Sequence, residues 1–173
     1  MLRSLFFGLG VLFGFVAPMA APELAARVYR SGTELFLNAE LSGAFPDSAI
    51  ELAEAGTVVA FELEVRVKGS SSSVVARRSL SYDLGRREWI VGLGSDKGAK
   101  PVPDRFAALL LASSVWALGL GSVSTFDSGG TISIKARPGI IDEAGSWHDA
   151  GILWGYVEPG RSFSFASAEE IPR

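Results

Sequence analysis

The chain has 173 residues, of which 48% are hydrophobic and 20% charged, and its formal net charge is −3. So many aliphatic and aromatic residues exclude a disordered chain, and the length suits one globular domain. The mildly acidic balance argues against a nucleic-acid partner, and the absence of cysteine excludes disulfides, thiolate catalysis and sulfur-bound zinc.

The first residues have the three parts of a secretory signal. One positive charge, Arg3, precedes an uncharged apolar stretch at 4–17, and small residues and prolines follow it. We therefore expect residues 1–21 to be a signal peptide and the protein to be exported to the periplasm or cell envelope. Because prolines lie beside both candidate cleavage bonds, an uncleaved N-terminal anchor is the alternative.

The rest of the chain is predicted to be a single α+β domain at 27–168, followed by a C-terminal tail at 169–173. We expect an antiparallel meander sheet of about five to seven strands with two helices packed on it. The first elements are a strand at 33–40 and a helix that follows Pro46. Asp47 or Ser48 is expected to cap this helix, and Gly56 to end it.

The clearest pattern is FELEVRVK at 61–68, where apolar and charged residues alternate strictly. Turns at 69–73 and 85–87 lead into two further strands, at 76–83 and 89–93, so three consecutive antiparallel strands are predicted. Matching the apolar faces of the first two gives these opposite pairs: Phe61–Tyr82, Leu63–Leu80 and Arg66–Arg77.

The second half is predicted as a loop at 95–103, a helix at 106–118 and a strand at 131–137 that Pro138 stops. The helix is expected to be buried against the sheet. A membrane span is the alternative, because residues 106–126 carry no charge. Residues 140–150 are predicted to be mostly loop, and two short strands at 152–157 and 162–165 are joined by a turn at 158–160.

Several stretches, in this order, resemble a family of small exported bacterial proteins known as domain of unknown function 4390. They are AELSGAFPDSAIELAEAGTVVAFELEVRV (39–67), RRSLSYDLGRREWIV (77–91), RFAALLLASSVWALG (105–119), TISIKARPGIID (131–142) and a carboxyl end with tryptophan and phenylalanine. Family members often carry tryptophans after the long strand, where this chain has residues 69–73. The resemblance implies an envelope location without an established activity. Because members tend to be encoded near membrane sensor kinases, it also implies a regulatory partner.

Positive residues gather on the predicted meander, which suggests a binding surface for anionic lipid headgroups or an acidic protein. The candidate binding residues are Arg66, Lys68, Arg77, Arg78, Arg86 and Arg87. The simpler interpretation is a solvated sheet face whose charges discourage strand pairing. Arg78 differs because alternation points it toward the core. There it needs a carboxylate partner, or else it opens into a groove and contacts a ligand.

His148 is the single histidine in the sequence. Paired with Asp142 or Asp149, it would act as a general base on a serine, but adjacency in sequence does not supply that geometry. An exposed histidine beside a partly buried tryptophan is the simpler interpretation. No catalytic residue, metal ligand or cofactor site is predicted.

These observations predict a non-enzymatic binding or regulatory module with an envelope protein or membrane surface as its partner. Two alternatives stay open. One is a small hydrolase that uses His148. The other is a lipid or small-molecule carrier with a cavity between residues 106–118 and the sheet.

Overall fold

The computed structural model describes residues 21–68, 73–94 and 98–173, and these form two antiparallel sheets with two helices. The described elements are β1 (Glu23–Ser31), β2 (Glu34–Ser42), α1 (Asp47–Glu54), β3 (Val58–Val67), β4 (Ser73–Asp83), β5 (Glu88–Gly92), β6 (Ala99–Val102), α2 (Arg105–Ala112), β7 (Ser114–Ser122), β8 (Gly130–Ile141), β9 (Trp147–Asp149) and β10 (Gly160–Phe165). Short 3₁₀ helices lie at Val123–Phe126, Gly151–Trp154 and Ala168–Glu170. The predicted α+β class with a meander sheet is confirmed.

The large sheet has the order β10-β8-β3-β4-β5-β6, with β9 paired to β8, and the small sheet has the order β1-β2-β7. Alternation puts Phe61 and Leu63 of β3 on the inner face, toward the small sheet and the helices. Leu35 and Leu37 of β2 are buried in the same core cluster, at 1% and 0% exposure. The small sheet was not predicted as a separate layer.

The predicted register between β3 and β4 is wrong, although the faces are right. Phe61 pairs with Arg78, and Glu62 pairs with Arg77. The pairs that do not form are Phe61–Tyr82, Leu63–Leu80 and Arg66–Arg77. The observed register places Glu62 opposite Arg77 on β4 and opposite Arg137 on β8. Opposite charges on facing positions stabilise this alignment, whereas the predicted alignment would place Arg66 opposite Arg77.

The predicted helix at 106–118 is correct only in its first half. α2 ends at Ala112, and β7 then pairs with β2. Ala108 and Ala112 are fully buried, whereas Phe106 is 75% exposed, so the helix packs on the sheet by its alanines. Within the described part of the chain, no helix has the length and apolar character needed to cross a membrane.

Other boundaries also differ from the prediction. The expected loop at 95–103 contains β6, and the expected loop at 140–150 contains β9. β8 continues through Pro138, and residues 152–157 are not a strand, because a 3₁₀ helix occupies Gly151–Trp154. The strand at 162–165 is present as β10. The predicted turn at 69–73 lies outside the described residues except for Ser73, which begins β4.

The packed domain is longer at both ends than the predicted 27–168. β1 begins at Glu23, and Leu24 is buried. Ile171, in the expected tail at 169–173, is 1% exposed, and the N–H of Arg30 donates to the carbonyl of Pro172 at 2.7 Å. The predicted signal peptide or anchor at 1–21 lies outside the described residues except for Ala21.

The two helices begin differently, which gives a matched test. Asp104 precedes α2, and its Oδ1 accepts the N–H of Ala107 at 2.8 Å. Pro46 precedes α1 without a side-chain cap, so the expected capping by Asp47 or Ser48 is wrong.

Asp104→Ala should lower the free energy of unfolding by about 1 kcal/mol. Ser48→Ala should change it by less than about 0.5 kcal/mol in the same urea titration. Equal losses of unfolding free energy in the two variants would contradict the assignment of Asp104 as the cap of α2.

Candidate binding groove

Strand β4 extends beyond its neighbour β5. β5 pairs with residues 79–83 of β4, whereas β3 pairs with residues 73–80 on the other side. No strand of the described chain pairs with residues 73–77 on the β5 side, and we call these residues the open edge of β4. Gly92 is the last residue of β5 that pairs with β4, and an added Cβ there would clash with Ser79 Oγ. Gly94, two residues further on, has a φ of 107°.

Strand β7 faces this open edge from the small sheet. In the described chain β7 pairs with β2 alone. It bulges at Ala117, whose φ is 50°, and the N–H of Ala117 donates to Asn38 Oδ1 at 2.8 Å. Such a bulge twists an edge strand and interrupts its row of backbone donors.

A groove of about 700 Å³ lies between β7 and the open edge and extends to Ile141. Its exposed large apolar side chains are Val75, which is 52% exposed, and Trp116, which is 56% exposed. Arg77 and Arg78 are the charged residues in the described lining, which contains no carboxylate. The groove is therefore apolar along its strands and positively charged at one end.

Arg78 closes that end of the groove. Its side chain is buried, and its Nε donates to the carbonyl of Ser114 at 2.8 Å. Its Nη1 donates to the carbonyl of Arg77 at 3.0 Å and to the carbonyl of Leu93. Sequence alternation placed Arg78 toward the core, and the structure shows it in the lining of the groove as well. Backbone carbonyls accept these three hydrogen bonds.

Arg77 is held on the outer face of the large sheet by Glu62. The Glu62 carboxylate accepts Arg77 Nε at 3.1 Å and also Arg77 Nη2. Its second oxygen accepts Arg137 Nε at 3.1 Å and Arg137 Nη2 at 2.8 Å. Burial alone raises the pKa of Glu62, but the hydrogen bonds from Arg77 and Arg137 outweigh it and leave that pKa below its ordinary value.

Trp147 fixes Arg77 from the other side. The Arg77 guanidinium carbon lies 5.0 Å from the Trp147 ring centroid, within the range of a cation–π contact. The ring lies over Gly139, where an added Cβ would be 2.3 Å from it. Sequence reasoning missed both Arg137 and Trp147 as partners of this cluster, because their positions depend on which strands lie beside β3.

The structure does not bring the six predicted binding residues into one patch. Arg66 lies at the far end of β3 and pairs with Glu64 at 2.8 Å. Lys68 follows that strand, and its N–H donates to Thr131. Arg86 and Arg87 lie in the turn between β4 and β5, at the opposite end of the sheet. Of the six, Arg77 and Arg78 line the groove.

His148 lies on β9 and does not line the groove. Its Nε2 is 2.8 Å from Asp142 Oδ2, and its side chain is 60% exposed. The hydrogen bonds from His148 and from the backbone of Ser146 hold the pKa of Asp142 below its ordinary value. Among the described residues, no serine hydroxyl is hydrogen-bonded to His148, and no three potential metal ligands cluster.

Comparisons with protein-family models, with curated proteins and with solved structures find no match to this chain. The resemblance to domain of unknown function 4390 therefore stays a prediction that the quoted stretches carry.

The Glu62 cluster makes a testable prediction about stability and pH. Glu62→Gln should lower the free energy of unfolding at pH 7 by about 2 kcal/mol, because two charge-assisted interactions are lost. Folding lowers the pKa of Glu62. The ionised carboxylate therefore makes its full contribution to the free energy of unfolding above its unfolded pKa of about 4.3, and this contribution is lost as pH falls through the folded pKa. The difference in unfolding free energy between wild type and variant should therefore shrink below about pH 4.

The control is Glu64→Gln, which removes a carboxylate whose ion-pair partner among the described residues is Arg66, an arginine 69% exposed at its side chain. This variant should lose less than about 1 kcal/mol of unfolding free energy. Urea titrations of all three proteins at several pH values measure both effects. A pH-independent deficit in Glu62→Gln would contradict the ionic role of this carboxylate.

Proposed function

We propose that this protein is an exported, non-enzymatic binding module of the cell envelope that holds a partner in the groove between β4 and β7. The observation that carries the proposal is the groove itself. It is concave, and it lies between two strands that are not paired with each other. Concave surfaces with apolar walls and a few polar groups are the usual form of a binding site.

The exposed side chains in the groove support this function. Val75 and Trp116 leave more than half of their surfaces in water, and tryptophan is enriched where proteins bind one another. Arg77 and Arg78 add positive charge, so an acidic partner is favoured over a basic one. An envelope protein with an acidic segment fits both properties.

The location rests on the first residues and on the family resemblance. The charged start, the apolar stretch at 4–17 and the small residues that follow are typical of export. The resemblance to domain of unknown function 4390 supports a regulatory role toward a membrane partner. Export brings the groove into contact with such a partner outside the cytoplasm.

Two rival functions are less well supported by the geometry. The His148–Asp142 pair supplies two members of a catalytic triad, but no described serine hydroxyl is bonded to the histidine. A small-molecule carrier would use the same groove, since residues 115–118 of the predicted helix line it. The open edge of β4 favours a polypeptide instead, because its backbone groups recognise another backbone.

Photo-crosslinking in the native envelope tests the proposal. A photoreactive amino acid at Val75 or at Trp116 should capture the same partner, because both residues line the groove. The controls are Ile152 and Val157, which are 67% and 42% exposed and lie outside the groove. They should capture it little or not at all.

Two results would contradict the proposed function. One is equal capture from all four positions. The other is an absence of capture together with a measurable enzymatic turnover that His148→Ala abolishes without a change in the thermal melt.

A further inference from the structure

We infer that the groove takes its ligand as an added β-strand along the open edge of β4, and that this ligand is an extended peptide with alternating apolar residues and a carboxylate. The inference rests on the proposed function and names its partner chemistry. In strand addition, main-chain hydrogen bonds give affinity, and alternate side chains give specificity.

The backbone of the open edge is suited to the addition of a strand. In an antiparallel sheet, the N–H and C=O groups of a strand point alternately to its two sides. β3 therefore takes about half of these groups in residues 73–77, and the rest point toward the groove. At about 3.3 Å per residue the open edge spans about 17 Å, which is close to an ordinary strand length.

The outer edges of the large sheet carry residues that discourage strand pairing. On β6, Lys100 is charged and Pro101 lacks an N–H. On β10, Arg161 adds a positive charge. The open edge of β4 has two valines, Val74 and Val75, and no proline or glycine, and the charge of its Arg77 is paired with Glu62. It is therefore a suitable acceptor for another strand.

The edges of the small sheet are obstructed as well. On β7, the bulge at Ala117 turns one backbone donor to the Asn38 side chain. On β1, the N–H of Arg30 is already bonded to the carbonyl of Pro172 near the chain end. These contacts select β4, and not β7, as the strand to which the ligand pairs, while β7 forms the opposite wall.

The side chains around the open edge indicate what the ligand carries. Val75 lies on the outer face of the open edge, as Arg77 does, and Trp116 lies on the β7 wall. An added strand would have one row of side chains beside Val75 and the other toward Trp116, so apolar residues of the peptide would be covered there. Glu62 is one carboxylate shared by Arg77 and Arg137, so these three side chains together keep a net positive charge. An acidic residue or terminal carboxylate near Arg77 would be attracted to it.

Selection from a random peptide library displayed on phage, with the purified protein as target, tests the inference. Enriched peptides should alternate apolar and polar residues and contain aspartate, glutamate or a terminal carboxylate. A synthetic copy should bind, and N-methylation of alternate amides on its pairing side should weaken binding about tenfold or more, because main-chain donors are lost. Backbone NOEs from the peptide to residues 73–77 should appear in the NMR spectrum.

Val75→Glu is the informative variant, since it puts a negative charge in the groove and should reduce binding of the same peptide at least about tenfold. Val157→Glu is the matched control and should bind like wild type, and both should have similar thermal melts. If Val75→Glu is poorly folded, Trp116→Ala replaces it, because that side chain lies on the facing wall and is largely exposed.

The inference is overturned if the library yields no peptide whose binding depends on the groove, or if both N-methylated forms, one for each set of alternate amides, bind as well as the parent. It is also overturned if the wild-type protein forms a concentration-dependent dimer that Val75→Glu abolishes, since a second copy then occupies the edge. None of these results removes the groove crosslinks expected in the native envelope, so strand addition can fail while the proposed function stands.

Discussion

The guanidinium of Arg78 lies where the two sheets meet, and its hydrogen bonds join parts of the chain that are distant in sequence. One bond reaches Ser114 at the start of β7, and another reaches Leu93 after the end of β5. A buried charge is costly unless its donors are satisfied, so these carbonyls must stay in place. Their fixed positions set the spacing of the groove at its closed end.

The groove and the Glu62 cluster depend on how β4 pairs with its two neighbours. β5 pairs with residues 79–83 of β4 alone, which leaves residues 73–77 open on that side. The register of β3 and β4 puts Glu62 between two arginines on the outer face. The two pairings of β4 therefore determine the charge of the outer face and the strand edge available for binding.

Strict alternation predicted β3, its buried face and the inward direction of Arg78, because a period of two has one structural solution. The register was not predictable this way, since a shift by an even number of residues keeps both faces. Residues 106–118 are apolar without a strong period, so composition favoured a helix where pairing with β2 imposes a strand on Ser114–Ser122. The groove arises from that strand, and the sequence had suggested only a cavity in this region.

Backbone amide exchange in the uncomplexed protein tests the central claim, that residues 73–77 form an open edge, most directly. The account predicts alternating protection along these residues, with slow exchange at amides bonded to β3 and fast exchange at those that point into the groove. Residues 59–66 of β3, which pair with β4 on one side and with β8 on the other, should be protected more evenly. Uniform slow exchange along 73–77 would show that the edge is already covered and would contradict the account.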